Sequence, residues 1–273
     1  MKREGDMNQF ANIMTNHGVT TRHGGVSEGP FASMNTGFYG DDDKEKVYEN
    51  IKLALDEIGS DAKIIIATKQ VHSNTIRVIG ENTDLSDFIS YDLTDSALEG
   101  YRLLVSPETD GIVTTRDDVV LMTFYADCVP LLFYDSVKGV VGSVHSGWKG
   151  TANLIVHEAI RQLILLGCEL QNISVGIGHC AGVCCYEVDE PVIDAFRKNF
   201  SNEEMQNFIR VKENGKYQLD LKMANVMSLM RKGLQRSQIE VNQDCTICGV
   251  EDYHSHRRTG YPRGSMSAFI QLK

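Results

Sequence analysis

Three residues of this chain carry side chains suited to metal or nucleophilic chemistry and stand where apolar stretches stop. They are His72 in Gln70-Val71-His72, Cys128 in Tyr125-Ala126-Asp127-Cys128-Val129-Pro130, and His145 in Val144-His145-Ser146-Gly147-Trp148-Lys149-Gly150, which holds the only tryptophan. A sheet fixes the position of a residue at a strand end while the following loop stays free for chemistry. Two imidazoles and one thiolate are ordinary zinc ligands. Three protein ligands leave the fourth tetrahedral position for water or substrate, as in catalytic rather than structural sites. A bound thiolate would leave such a centre with about one net positive charge, favouring an anionic or polarised ligand. The spacings, 56 and 17 residues, repeat no ligand signature. The competing reading is a buried, inert Cys128 beside ordinary loop histidines.

The most zinc-like string lies elsewhere. Cys245-Thr246-Ile247-Cys248 is followed by His254 and His256. A closed structural site needs four ligands facing one point. A His-x-His pair in a strand points its rings to opposite faces, so reduced thiols and surface or site-lining histidines are expected here instead of a knuckle. In Gly178-His179-Cys180-Ala181-Gly182-Val183-Cys184-Cys185-Tyr186-Glu187, the vicinal Cys184 and Cys185 suit one tetrahedral ion poorly, and the small residues point to tight packing. Arg22, Arg257 and Arg258 are the candidate anion ligands, because a guanidinium presents a planar fork to phosphate. Their alternative use is in surface ion pairs. Asn35, in the irregular loop after Thr21-Arg22-His23-Gly24-Gly25-Val26-Ser27, joins them as a candidate substrate or phosphate contact. Asp41-Asp42-Asp43 reads as solvated charge at a helix start, and Gly24-Gly25 is too short for a nucleotide fingerprint.

The elements that must position these residues follow from periodicity. Val47, Ile51, Ala54, Leu55 and Ile58 recur at helical spacing, with Gly59 as C-cap. Strands are expected over Lys63 to Ala67, Thr75 to Ile79, Val119 to Tyr125, Leu131 to Tyr134, Val140 to Val144, Ile173 to Ile177 and Met266 to Leu272, with a hairpin turn near Lys138-Gly139. Thr151 is placed to N-cap a helix through Ile155, Val156, Ala159, Ile160, Leu163 and Leu166, and Asp189 and Asp220 to cap two later ones. Several neighbouring strands are joined too briefly for parallel crossovers. The expected fold is α+β, with mixed sheets in one domain over 15–273, preceded by an N-terminal tail over 1–14.

Composition sets the outer bounds. The 273 residues are 42% hydrophobic and 23% charged, as in ordinary globular proteins. A formal net charge of -10 argues against nucleic-acid binding, which needs a basic face. The first twelve residues lack an apolar signal core, and no run is long enough to cross a membrane, so a cytoplasmic protein is expected. Seven cysteines, an odd number, then argue against a disulfide framework and read as metal-binding, catalytic or buried reduced thiols. A monomer is expected.

Seven stretches in order resemble the YfiH/laccase-domain family. They are Thr21 to Ser27, Lys69-Gln70-Val71-His72, Thr109-Asp110-Gly111, Ala126-Asp127-Cys128-Val129-Pro130, His145-Ser146-Gly147-Trp148-Lys149-Gly150, Cys184-Cys185-Tyr186-Glu187-Val188 and Ser255-His256-Arg257-Arg258. The resemblance implies a sandwich-like core flanked by helices and a metal site on His72, Cys128 and His145. Zinc is the implied ion, with copper the alternative. It also implies transferase and hydrolase activity on purine nucleosides: phosphorolysis of adenosine, inosine, guanosine and methylthioadenosine, and adenosine deamination. Two departures stand out. His179 replaces the usual proline of an Ile-Gly-Pro stretch, and Arg263 is displaced from its usual place by Gly264 and Ser265, which weakens the case for a role there. A multicopper oxidase needs many clustered histidines, whereas the eight here are scattered.

The expected mechanism uses Arg22 and Arg257 or Arg258 to hold phosphate or orient the nucleoside, with His72, Cys128 and His145 at the reacting centre. Three rivals differ in class. One is a cysteine hydrolase or amidase on cell-wall precursor peptides, with Cys128 as nucleophile and His145 as base. The others are a copper-dependent polyphenol oxidase and a non-catalytic metal-binding protein.

Overall fold

The computed structural model describes the backbone of Arg3–Glu4 and residues 7–273 in full. Two sheets face each other. Edge to edge, the first contains Arg3–Glu4, Met7–Asn8, Asn16–Thr20, Met266–Gln271, Val119–Tyr125, Ile64–Thr68, Arg102–Ser106 and Ile89–Ser90. The second contains Ile239–Val241, Ile173–Ile177, Val129–Asp135, Val140–Ser146, Gly111–Thr114 and Ile76–Ile79. Val19, Ile66, Leu121, Leu132, Val141 and Ile270 fill the space between them. Helix Lys44–Glu57 covers the outer face of the first sheet through Val47, Ile51, Ala54 and Leu55. Helices Ile155–Leu165 and Leu221–Arg231 cover the second. The result is the expected α+β sandwich of mixed sheets. The central strands Val119–Tyr125, Val129–Asp135 and Val140–Ser146 are buried along their whole length. They therefore read as continuous apolar runs instead of alternating ones.

The short connections have a different use from the one expected. Ile64–Thr68 pairs in parallel with both Arg102–Ser106 and Val119–Tyr125 in the first sheet. These three strands end at the same edge, and each passes directly across to the second sheet, into Ile76–Ile79, Gly111–Thr114 and Val129–Asp135. Parallel neighbours thus need no long helix, because the chain returns through the opposite layer. The expected hairpin is present: Val129–Asp135 and Val140–Ser146 pair antiparallel, and Gly139 takes a left-handed φ of 70° at the turn.

Three local expectations need correction. The proposed tail is part of the fold from Met7, which is buried and pairs in the first sheet; Phe10 and Ile13 enter the core. Thr151 does not cap the long helix. It lies within a separate helix, Trp148–Ala152, where its hydroxyl is taken up by the Gly147 carbonyl and Ser146, and Leu154 at φ 60° breaks the chain before Ile155–Leu165. His254 and His256 are not in a strand, because Ser255 caps the short helix His256–Thr259 by accepting from Arg258 N–H. Among the described residues, no helix is long and apolar enough to cross a membrane.

Candidate metal centre

The three crossings between sheets build the site. The first, after Thr68, carries His72; the second, after Ser106, carries Asp110; the third, after Tyr125, carries Cys128. Gln70 ties the first crossing to the third: its Nε2 donates to the Phe124 carbonyl at 2.8 Å, and its Oε1 accepts the Phe124 N–H at 2.7 Å. His145 comes from the hairpin. There Val129 pairs with Ser146, so Cys128 emerges beside Gly147. A Cβ on Gly147 would lie 2.6 Å from His72 Cδ2 and 3.2 Å from Cys128 Sγ. The position accepts no side chain without displacing two of the three candidate ligands.

The ligating atoms of His72, Cys128 and His145 all lie within 4.8 Å of one another. Cys128 Sγ is 3.8 Å from His72 Nε2, and the two imidazoles meet edge to face at 4.9 Å. Asp110 organises the group. Fully buried, it accepts from His145 Nδ1 at 2.9 Å, from the N–H groups of Val71, His72 and Ser73, and from Ser73 Oγ. The His145 proton therefore belongs on Nδ1, leaving the Nε2 lone pair toward the cluster. His72 stands at φ 60°, a left-handed conformation held by its N–H to Asp110.

Electrostatics couple these groups. Burial pushes the Asp110 carboxyl up, but the bonds and charge of His145 and the Ser73 donors outweigh it, leaving it at about 2. Burial likewise opposes the Cys128 thiolate, yet His145 and His72 bring the thiol down to about 6. His145 is pulled down by burial and lifted to about 9 by Cys128 and Asp110. Without a metal, the favoured state is a thiolate beside an imidazolium. The same donors suit a divalent cation: a thiolate, two imidazole nitrogens, and a carboxylate that fixes one imidazole from behind.

The cluster closes one end of a cavity of about 390 Å³ lined by Tyr39, Gln70, Phe124, Tyr125, Arg263 and Ser265, among others. A larger hollow of about 510 Å³ around Asp61, Asp117 and Lys273 contains no cysteine or histidine. Arg263 and Lys69 are the basic side chains on the wall of the cluster's cavity among the described residues, and Arg263 is the more deeply set. Its Nη1 donates to the Gly264 carbonyl and Ser265 Oγ, both at 2.8 Å, while its Nε is buried without a hydrogen-bond partner. Its displaced sequence position concealed it; the available signal was an arginine three residues before the closing strand Met266–Gln271.

None of the four substrate contacts expected from the sequence, Arg22, Asn35, Arg257 and Arg258, is among the residues lining this cavity. Arg22 donates to the carbonyls of Ala32 and Val250, tying two loops. Arg258 donates to the carbonyls of Thr246, Ile247 and Tyr253. Arg257 donates to the Glu187 carbonyl and lies over the Tyr186 ring. Asn35 stands behind Arg263: its Oδ1 accepts Ser265 N–H at 2.8 Å, and it lines an adjoining cavity of about 190 Å³ that shares Tyr39, Phe124, Arg263 and Ser265. Arginines here serve mostly as multidentate donors to loop carbonyls, a use that residue type alone does not distinguish from anion binding. Asp110 was recognised only as part of a motif, and its carboxylate role depends on contacts across the fold.

Comparison with known proteins agrees with this architecture. A family model described as multi-copper polyphenol oxidoreductase laccase matches residues 16–273. A purine nucleoside phosphorylase, YlmD, from Bacillus subtilis strain 168 is 36% identical over 94% of this chain and 88% of its own length. An adenosine deaminase from an unknown prokaryotic organism is 29% identical over 93% of this chain and 92% of its own. The crystal structure of YlmD from Geobacillus stearothermophilus superposes with a TM-score of 0.83 at 32% identity, covering 99% of this chain and all of that one.

Proposed function

This chain belongs to the multi-copper polyphenol oxidoreductase laccase family, and we propose that its reaction is the phosphorolysis of purine nucleosides, with deamination of adenosine at the same centre. The proposed substrates are adenosine, inosine, guanosine and methylthioadenosine, with inorganic phosphate, and the proposed metal is zinc. The working unit is a cytoplasmic monomer with a single catalytic domain that includes the segment from Met7 onward. The observation that carries this reading is the convergence of His72, Cys128 and His145, with Asp110 fixing His145, at the end of a cavity walled by aromatic rings and Arg263. The names of the relatives supply the substrate class.

His72, Cys128 and His145 would hold the ion, which supplies Lewis-acid polarisation of a phosphate or water oxygen. Asp110 keeps the His145 proton on Nδ1 and so leaves the Nε2 lone pair free to ligate. Arg263 binds the phosphate through a guanidinium with an unused buried N–H, replacing the Arg22, Arg257 and Arg258 of the sequence reading. Tyr39 and Phe124 offer aromatic faces to the purine. In phosphorolysis a phosphate oxygen bonds to the anomeric carbon as its bond to the purine nitrogen breaks, and the leaving base takes up a proton. Among the described residues no carboxylate lines the cavity; Lys69 and Tyr39 are the titratable groups on the wall besides Arg263, Tyr125 and the cluster.

One observation favours a second reading. Asp110, His145 and Cys128 also stand in the order of a cysteine-hydrolase triad, with the thiol at about 6. His72 separates the two, since a triad has no use for it. The test compares metal content, inosine turnover and Cys128 alkylation in the native, His72→Ala and Cys128→Ala proteins. The proposal expects zinc and phosphate-dependent turnover to fall together in both variants, with Cys128 protected in the zinc-loaded protein. Undiminished turnover by metal-stripped protein, or rapid alkylation of zinc-loaded Cys128 with loss of activity, would favour the hydrolase.

A further inference from the structure

Four cysteines that the reaction does not use come together on the far side of the Cys128 loop. The sulfurs of Cys184, Cys185, Cys245 and Cys248 all lie within 4.8 Å of one another. They reach this point from two loops. Strands Ile173–Ile177 and Ile239–Val241 are parallel neighbours, so the segments that follow them leave the sheet at the same end. Those segments stay joined: Cys180 and Cys245 form a β-bridge, with Thr246 N–H donating to the Cys180 carbonyl at 3.0 Å. This corrects one expectation from the sequence: the vicinal pair does face one point with two further thiols, while His254 and His256 stay outside the group, in keeping with the absence of a Cys-His knuckle.

We propose that Cys184, Cys185, Cys245 and Cys248 bind a second zinc ion, a closed tetrathiolate site that staples these two loops and steadies the Cys128 loop. Spacing is the first argument. Cys184 Sγ and Cys248 Sγ are 3.7 Å apart. Tetrahedral ligands at about 2.3 Å from zinc stand about 3.8 Å from each other, whereas disulfide sulfurs are bonded at about 2.05 Å. The second argument is the preparation of Cys245 for charge. Its Sγ accepts the Gly182 N–H at 3.1 Å, and the nearby backbone N–H groups of Ile247 and Cys248 also favour its charged form. Backbone donors aimed at one sulfur favour the thiolate that a metal requires.

The third argument is compensation. Four thiolates around one divalent cation carry two net negative charges, and two cations already stand against this turn. The Arg258 guanidinium donates to the Thr246 and Ile247 carbonyls within the Cys-x-x-Cys turn, and the mostly buried Lys222 ammonium donates to the Asp244 carbonyl just before it. Gly182 leaves the room: a Cβ there would lie 2.8 Å from Cys245 Cβ and 3.3 Å from Cys184 Sγ. The link to catalysis runs through Thr246, inside the turn, whose hydroxyl donates to Asp127 Oδ1 at 2.6 Å beside Cys128. Binding would displace the remaining thiol protons to solvent, with no change in oxidation state.

Metal analysis of protein purified under reducing conditions and exposed to zinc tests this independently of the reaction. The expected content is about two zinc ions per chain in the native protein and one in Cys128→Ala. That remaining ion is lost when Cys245→Ser is added. Cobalt-substituted Cys128→Ala should retain thiolate charge-transfer absorption. If adding Cys245→Ser prevents folding, thiol labelling of the native protein decides. Exposed Cys184 and Cys248 should resist modification until a chelator is added. One zinc that disappears entirely with Cys128→Ala, free labelling of these thiols in zinc-loaded protein, or a stable Cys184–Cys248 disulfide in protein that takes up no second ion would overturn the proposal.

Discussion

The His72–Cys128–His145 group and the four-cysteine group both bring their ligating atoms within 4.8 Å of one another, but they are supported differently. The first stands where three strands of one sheet cross to the other, and a buried carboxylate orients its inner histidine. It supplies three ligands and faces a cavity. The second stands on two loops held by a bridge and by N–H bonds to sulfur, and it supplies four ligands and faces no comparable cavity wall of aromatics and an unsatisfied arginine. Three ligands on a rigid frame leave a coordination position for chemistry. Four ligands on loops leave none, and their use is to hold the loops.

Substitutions can break this contrast, beginning with the largest effect. Cys128→Ala should reduce kcat by about a thousandfold or more, because a catalytic metal supplies several kcal/mol and about 1.4 kcal/mol is a factor of ten. Steady-state kinetics with inosine checks this, and circular dichroism should remain native. Gly147→Ala should cost up to about a hundredfold in kcat/KM, since its new Cβ pushes His72 and Cys128 apart; a crystal structure of the variant would reveal the displaced imidazole.

Asp110→Asn should weaken zinc affinity about 10- to 100-fold by losing the carboxylate behind His145, measured by chelator competition. It should also alter acid stability. A carboxyl held at about 2 in the folded chain stabilises above its ordinary value of 3.8. That contribution, about 2 kcal/mol, is lost as pH falls through this range. Metal-free native protein should therefore lose stability between about pH 4 and 2, and the Asn variant should lack this component in denaturant titrations.

Arg263→Ala should raise the KM for phosphate by about 10- to 100-fold, the worth of a charged hydrogen bond, while adenosine deamination changes far less. Equal losses in both reactions would reassign Arg263 to the nucleoside. The smallest effect on turnover is expected for Cys245→Ser. Its Tm should fall by several degrees, whereas kcat at low temperature falls less than about tenfold. A collapse of kcat equal to that of Cys128→Ala would erase the distinction between the two groups.

The same contrast explains what could be read from the sequence. Strands buried on both faces declared themselves as apolar runs, so the hairpin that sets Cys128 beside His145 was visible, as was the helix ending at Gly59. His72 could be added because its chemistry matched theirs. Asp110 and Arg263 could not be assigned in the same way, because their roles lie in contacts made across sheet crossings: one accepts from five donors, and the other keeps an N–H unused. Arg22, Arg257 and Arg258 have the chemistry of anion ligands, but their guanidiniums donate to loop carbonyls, a difference that residue type does not encode. The four cysteines were each visible, but their convergence depends on two parallel strands ending together, which thiol spacing along the chain does not encode.

The central claim is that the open, three-ligand group performs phosphorolysis. The most direct test is product analysis of inosine incubated with zinc-loaded protein, with and without phosphate. The account predicts hypoxanthine and ribose 1-phosphate in equal amounts only when phosphate is present, and neither product from Cys128→Ala. Free ribose formed at the same rate without phosphate, or no cleavage of inosine by fully zinc-loaded protein, would contradict it.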